Sequence, residues 1–237
     1  MQLHLPLETP QPVVAVHRRL RQTFGRRPEA PRLDPASQLI HGMLSVRTRG
    51  ETSRKVFLRL RQRFPEWQGL EQASFETMWE LIGEITLAEK YALHIPRAVQ
   101  NIISLRGAFD LGFLWDWPVD SALQWLERLP GVGVKIAAAT LNFSTLQKRV
   151  LVVDTHHLRI ARRLKFVGPL ASIEDASSLL ERQLPADWDA GAFEEHHWLM
   201  KRLGQSFCTA RGPACGQCPL GDLCAYSTMR PLKHTVL

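Results

Sequence analysis

The chain has 237 residues, 45% of them hydrophobic and 22% charged, an ordinary globular composition with enough length for one large core or two smaller ones. No apolar run is long enough for a membrane span, and the opening MQLHLPLETP lacks the basic start and apolar centre of a secretory signal, so a cytoplasmic protein is expected. Thirty Lys and Arg against 23 Asp and Glu leave a net charge of +7, which suits a polyanionic partner, nucleic acid first.

Strand signals are nearly absent and helical periodicity runs through the chain, which predicts an all-α fold. Val13, Val16, Leu20 and Phe24 form one stripe, closed by Gly25. Asp34-Pro35 supplies an N-cap and a first-turn proline for a helix burying Leu39, Ile40, Met43 and Leu44. After the break at Arg49-Gly50, Thr52 is expected to cap a helix with Val56, Phe57, Leu60 and Phe64 inside. Its outer residues Arg54, Lys55, Arg59, Arg61 and Arg63 read as a solvated face. Further helices are expected over 75–82, 88–105, 121–129 and 134–142. A short apolar stretch, Val150 to Val153, leads into Asp154 and a basic helix with Arg159, Arg162 and Arg163. Ser172 and Asp175 have capping-box spacing, and a last long helix over 192–205 delivers the chain to its cysteines.

All four cysteines, Cys208, Cys215, Cys218 and Cys224, lie in the last thirty residues, as C-x6-C-x2-C-x5-C. A disulfide framework would spread them along the chain; clustering in a cytoplasmic protein points to metal. Four thiolates at these spacings can enclose a tetrahedral zinc or a cubane iron–sulfur cluster, although zinc ribbons usually show two C-x2-C pairs and here there is one.

Leu129-Pro130-Gly131-Val132-Gly133-Val134-Lys135 has the form of a helix–hairpin–helix. Its two glycines are expected to let the backbone turn tightly and approach a ligand. The following helix then offers free N–H groups and a positive dipole end to a phosphate, though a plain interhelical turn has the same composition. Lys135 falls in the first turn of that helix, where the dipole disfavours a cation and lowers the amine pKa, as a Schiff-base nucleophile requires. Asp154 follows 19 residues later, in VDTHH, placed to cap its own helix with an ionised carboxylate.

LPGVGVKIA, VDTHHLRIARRL, HHWLMKRLGQSFC and the 6-2-5 cysteine loop resemble, in order and spacing, the helix–hairpin–helix DNA glycosylases that carry an iron–sulfur cluster, and most of all the endonuclease III family. The similarity runs from about Leu126 to Tyr226 and is weaker before that. It implies a two-lobed all-α fold with a C-terminal [4Fe-4S] cluster loop. In this division, 34–149 is a six-helix bundle domain bearing the hairpin, and 1–33 plus 150–237 form the iron–sulfur cluster domain. It implies a monomer that embraces double-stranded DNA, flips a damaged nucleotide into a cleft and works in base-excision repair. The setting it implies is cytoplasmic, bacterial-type and nucleoid-associated.

Carried over by motif, Lys135 is the nucleophile on C1′ and Asp154 its partner carboxylate. Cys208, Cys215, Cys218 and Cys224 are the expected cluster ligands, and Gly131, Val132, Gly133 and Arg47 are expected DNA contacts, with Arg211 either reaching phosphate or lying exposed in its loop. Sister enzymes that only remove a base generally lack the lysine, so Lys135 implies combined glycosylase and AP lyase activity on damaged, above all oxidised, pyrimidines. Where family members read LSxQTxD, this chain reads Leu44-Ser45-Val46-Arg47-Thr48-Arg49-Gly50, with Arg47 in place of the glutamine. A glycosylase acting on an alkylated or mismatched base, or a non-catalytic damage sensor, are the competing readings. His156, His157, His196 and His197 are expected to pack inside the C-terminal lobe beside Trp198. The seven tryptophans are expected mostly in the core, with Trp115 and Trp117 anchoring a loop.

Overall fold

The computed structural model describes residues 12–228, so the stretch MQLHLPLETP lies outside it. Every regular element among the described residues is helical. The described residues divide into two compact units, one of 30–152 and one of 12–29 with 153–228, where boundaries at 34 and 149 were expected above.

α1 (Pro12–Phe24) belongs to the discontinuous unit and buries Val13, Val16 and Leu20, each worth roughly 1.5–3 kcal/mol. It stops at Gly25, whose φ of +76° is the left-handed cap that glycine adopts without strain.

The continuous unit opens with α2 (Pro35–Leu44). The Asp34 carboxylate accepts the Ser37 N–H at 2.9 Å and its hydroxyl at 2.6 Å, while Pro35 occupies the first turn. α3 (Gly50–Arg63) begins at Gly50 after an extended Arg49 with no side-chain cap. Thr52 therefore lies inside the helix, not at its cap, because Gly50 and Glu51 already take helical geometry. Its basic face is also more engaged than a solvated one. Arg59 pairs with Glu84 at 2.8 Å and Lys55 with the same carboxylate at 3.4 Å, while Arg61 lies over Trp67 and Arg63 over Phe64. α4 (Phe75–Ile82) is capped by Ser74, and α5 (Ala88–Arg106) ends at the left-handed Gly107. α6 (Val119–Glu127) and α7 (Val134–Phe143) complete the unit.

Its core is continuous, with Leu39, Ile40, Met43, Leu60, Ile82, Ile95, Ile102 and Leu141 fully buried. α2 packs against α7 so closely that a Cβ on Gly42 would stand 3.2 Å from Ile136 Cγ2.

In the other unit α8 (Thr155–Arg163) follows the buried but irregular Val150 to Val153. α9 (Ile173–Glu181) starts with both halves of the Ser172–Asp175 capping box. α10 (Ala190–Ser206) starts two residues before the expected 192, because Asp189 accepts the Ala192 N–H at 2.8 Å. The short α11 (Ala225–Thr228) ends the described chain. α1, α8 and α10 share a core of Val16, Leu20, Ile160, Leu164, Leu199, Met200 and Leu203, and Cys208, Cys218 and Cys224 pack on it. No helix among the described residues is long and apolar enough to cross a membrane.

Candidate functional site

The hairpin between α6 and α7 is closed by main-chain bonds, Leu129 N–H to Leu126 O at 3.0 Å and Val132 N–H to Leu129 O at 3.1 Å. Gly131 takes φ +78°, and a Cβ there would lie 2.8 Å from His94 Cβ and 3.3 Å from Met43 Cε. Conformation and space both exclude a side chain. Gly133 differs from the expectation that two glycines make the turn. Its φ of −117° is extended backbone open to any residue, with no atom within 4 Å of a Cβ built on it. Its use is the open approach to the backbone. Val132 is a strut: its side chain is buried in the core and its N–H is spent inside the turn.

α7 starts at Gly133 without a side-chain cap, and Lys135 is its second residue, half-buried. The N-terminal turn therefore carries a primary amine at the positive end of the helix dipole.

Arg47 stands in the loop between α2 and α3 at φ +54°, a left-handed conformation that costs a non-glycine residue about 1–3 kcal/mol. The loop is held in that shape by Thr86, which the sequence did not single out. Its hydroxyl donates to Arg47 O at 2.8 Å and its N–H donates to Thr48 Oγ1 at 3.1 Å. The Arg47 side chain is exposed. Arg211 is likewise exposed, in the loop that follows Cys208.

Asp154 caps α8, accepting the His157 N–H at 2.8 Å. Burial pushes its carboxyl up, but the His197 ring, the His157 N–H and the His157 and His156 rings together outweigh this and hold it below the ordinary carboxylate value. It stays ionised at neutral pH. His157, His196 and His197 are buried, and His17 of α1 completes their cluster. His17 and His196 stack at 5.6 Å, His157 meets His196 edge-on at 5.2 Å, and His17 lies 4.4 Å from Trp188. Trp188, not the expected Trp198, is their aromatic neighbour, because Trp198 sits under Arg202 instead.

The tryptophans also depart from the expected core placement. Trp67 is buried, whereas Trp79 and Trp115 are 47% and 60% exposed and the other four are half-buried. Trp117 does anchor its loop, meeting Phe113 and Trp125 edge-on, and Lys148 donates to the carbonyls of Trp115 and Trp117.

The four cysteines are half-buried and none is in a disulfide. Burial pushes the Cys218 thiol up, the Leu220 N–H draws it down, and Cys208, Cys224 and Cys215 push it up again, with a net rise. No three His, Cys, Asp or Glu side chains among the described residues are gathered as a single metal ion requires. Cys208, Cys218 and Cys224 pack on one core patch, and four thiolates are the donor set of an iron–sulfur cluster. α8 braces the first of them. Arg159 Nε donates to Cys208 O at 2.9 Å, and Arg163 Nη1 donates to Cys208 Sγ at 3.0 Å. In the sequence this is a basic helix without evident targets; the i,i+4 spacing of 159 and 163 is the signal that they share a face.

The iron–sulfur binding domain of endonuclease III matches residues 208–224, from the first cysteine to the last. Endonuclease III of Escherichia coli is 39% identical over 101 residues, 43% of this chain and 45% of that enzyme, so this match spans under half of the relative. Endonuclease III of Thermotoga maritima is 29% identical over 197 residues, 83% of this chain and 85% of its own. Among solved structures, endonuclease III trapped as a covalent intermediate with DNA aligns with a TM-score of 0.76 at 24% identity, covering 93% of this chain and 97% of that one. The cofactor of the cysteine loop is a [4Fe-4S] cluster. The chain is thus similar to endonuclease III in the iron–sulfur binding domain over residues 208–224 and in its all-α fold.

Proposed function

We propose that this protein is a base-excision-repair DNA glycosylase with AP lyase activity, acting as a monomer on double-stranded DNA that contains oxidised pyrimidines or abasic sites. The first turn of α7 carries the reading: an uncapped helix start behind a side-chain-free Gly131, with a primary amine at its second residue. A hairpin of this build seats a backbone phosphate, and the same turn presents Lys135 to the sugar beside it.

In the reaction the neutral Lys135 Nζ attacks C1′. The electrons of the N-glycosidic bond leave with the base, which takes up a proton. The ionised Asp154 stabilises the positive charge that develops on the sugar. Ring opening then gives an imine between Nζ and C1′. Loss of a C2′ proton expels the 3′ phosphate, nicking the strand, and water returns the lysine to its free form. Arg47, held outward by its pinned loop, fills the gap left by the flipped nucleotide, and Arg211 contacts phosphate. Cys208, Cys215, Cys218 and Cys224 hold the cluster, which supplies a scaffold for the Arg211 loop.

Borohydride reduction in the presence of abasic-site DNA tests this. Wild type is expected to form a covalent adduct and Lys135→Ala none. A wild type that binds DNA without trapping identifies a non-catalytic sensor, and trapping by Lys135→Ala refutes the assigned nucleophile. A second reading is favoured by one observation, Arg47 at φ +54° where the resembling family has glutamine: the same chemistry on an alkylated or mismatched base. Turnover on duplexes carrying single defined lesions separates the two, an oxidised pyrimidine being the expected best substrate.

A further inference from the structure

The side chain of Arg163 threads the opening of the cysteine loop. One nitrogen, Nη1, donates both to Cys208 Sγ at 3.0 Å and to Thr209 O at 2.8 Å, while Nη2 donates to Ala210 O at 3.2 Å. Its guanidinium carbon lies 4.7 Å from the centre of the Tyr226 ring, two residues beyond Cys224. One planar cation thus bonds the first cysteine and the two carbonyls after it, and stacks on the segment that follows the last. Arg159, one turn earlier on the same face, takes different partners: Cys208 O, Gly204 O and the His156 ring. Arg159 also interacts with the Cys208 side chain, and what Arg163 adds is the pair of loop carbonyls and the Tyr226 ring.

We propose that Arg163 is the positioning residue that sets the reduction potential of the cluster and the lifetime of its first ligand. The inference rests on the four cysteines holding the cluster. A thiolate that accepts an N–H bond from a cation carries less charge density, so the more reduced and more negative state of the cluster gains most. Removing the bond lowers the potential. Removing the fork also frees the carbonyls of residues 209 and 210, so the loop opens more often and Cys208 is released faster.

The test uses the whole iron-loaded chain with Arg163→Met, which removes charge and donors, and Arg163→Lys, which keeps the charge but not the fork. Arg202→Gln, whose guanidinium lies over Phe24 and Trp198, controls for lost charge. Iron release to a chelator is followed by the fading of visible absorbance, and the potential is measured by voltammetry on DNA-free protein. Arg163→Met is expected to release iron at least about tenfold faster. Its oxidised-to-reduced ratio at fixed potential should shift about tenfold toward oxidised, equivalent to ~59 mV for one electron. Arg163→Lys is expected to release iron faster as well, with a smaller fall in potential, and it carries the test alone if Arg163→Met does not fold. Iron release and potential within twofold of wild type and Arg202→Gln in the folded variants overturn the proposal. A wild type that holds no iron overturns the cluster ligation and this proposal together, whereas unchanged variants of an iron-loaded wild type overturn this proposal alone.

Discussion

At Gly131 two constraints coincide, and either one alone would make the position intolerant. A left-handed φ penalises any Cβ, and the space that a Cβ would take already holds His94 and Met43. Gly131→Ala is therefore expected to lower unfolding stability by about 2–4 kcal/mol, the sum of a strained conformation and an overpacked contact, and to weaken DNA binding as the hairpin shifts. Gly133→Ala, at an extended and open position, should cost the fold under about 1 kcal/mol, while the added methyl blocks close approach of a phosphate. Chemical denaturation of both variants, with DNA affinity measured in parallel, checks the pair; equal destabilisation would refute the distinction. The motif made both glycines visible in the sequence and could not separate them, because φ and the distance to His94 depend on how α5 packs. The same limit hid Thr86. A threonine in a loop carries no signal until its partners, Arg47 O and Thr48 Oγ1, come into view.

Among the elements, helix starts were the most legible, because a cap is a local interaction between residues three apart. Asp34, Asp154 and the Ser172–Asp175 box all cap where their spacing indicates. The exceptions have local causes too: α3 starts without any side-chain cap, and Asp189 stands ahead of the point where apolar periodicity becomes clear in α10. The cap on α8 also separates two roles for Asp154. Asparagine caps about as well as aspartate, so Asp154→Asn should keep the cap and lose only the stability that depends on the charge. Turnover is then expected to fall at least about 100-fold. Asp154→Ala should lose the same activity and, in addition, about 1 kcal/mol of stability. Thermal unfolding beside single-turnover kinetics makes the comparison, and an Asp154→Asn protein as unstable as the alanine variant would reduce Asp154 to a structural cap. The arginines of α8 show what periodicity leaves out. It places Arg159 and Arg163 on one face, but their targets are main-chain carbonyls and a sulfur some 45 residues away, which no helical pattern encodes.

For the molecule as a whole, periodicity indicated an all-α chain and composition a basic surplus. Neither carried a sign that two buried histidines of the discontinuous unit, His196 and His17, are held below their ordinary pKa. His196 lies among His157, His17 and His197; burial first, and then those three rings, hold it well below its ordinary pKa. His17 is lowered by burial and by Arg21, which together outweigh the upward pull of Glu195. From the neighbouring elements, Glu194 and Glu195 of α10, Arg27 and Asp154 are the other charged groups at or beside this cluster. A histidine depressed in the folded state takes up its proton more readily once unfolded. Its contribution is thus fully present above the unfolded value near 6.5 and is lost as pH falls below it. Each such histidine adds a slope of about 1.4 kcal/mol per pH unit over that range. Asp154 acts in the same direction at lower pH: its carboxylate is held below the usual value, so its share is present above about 3.8 and disappears on further acidification. The melting temperature is accordingly expected to fall steadily from pH 7 to pH 5, with the discontinuous unit unfolding first. Trp188, at 4.4 Å from His17, is the fluorophore placed to report it. His17→Gln should flatten the slope between pH 6.5 and 5, since one titrating ring is gone. A melting temperature level from pH 7 to 5, or a slope unchanged in His17→Gln, would show that these rings are already satisfied as cations in the folded chain.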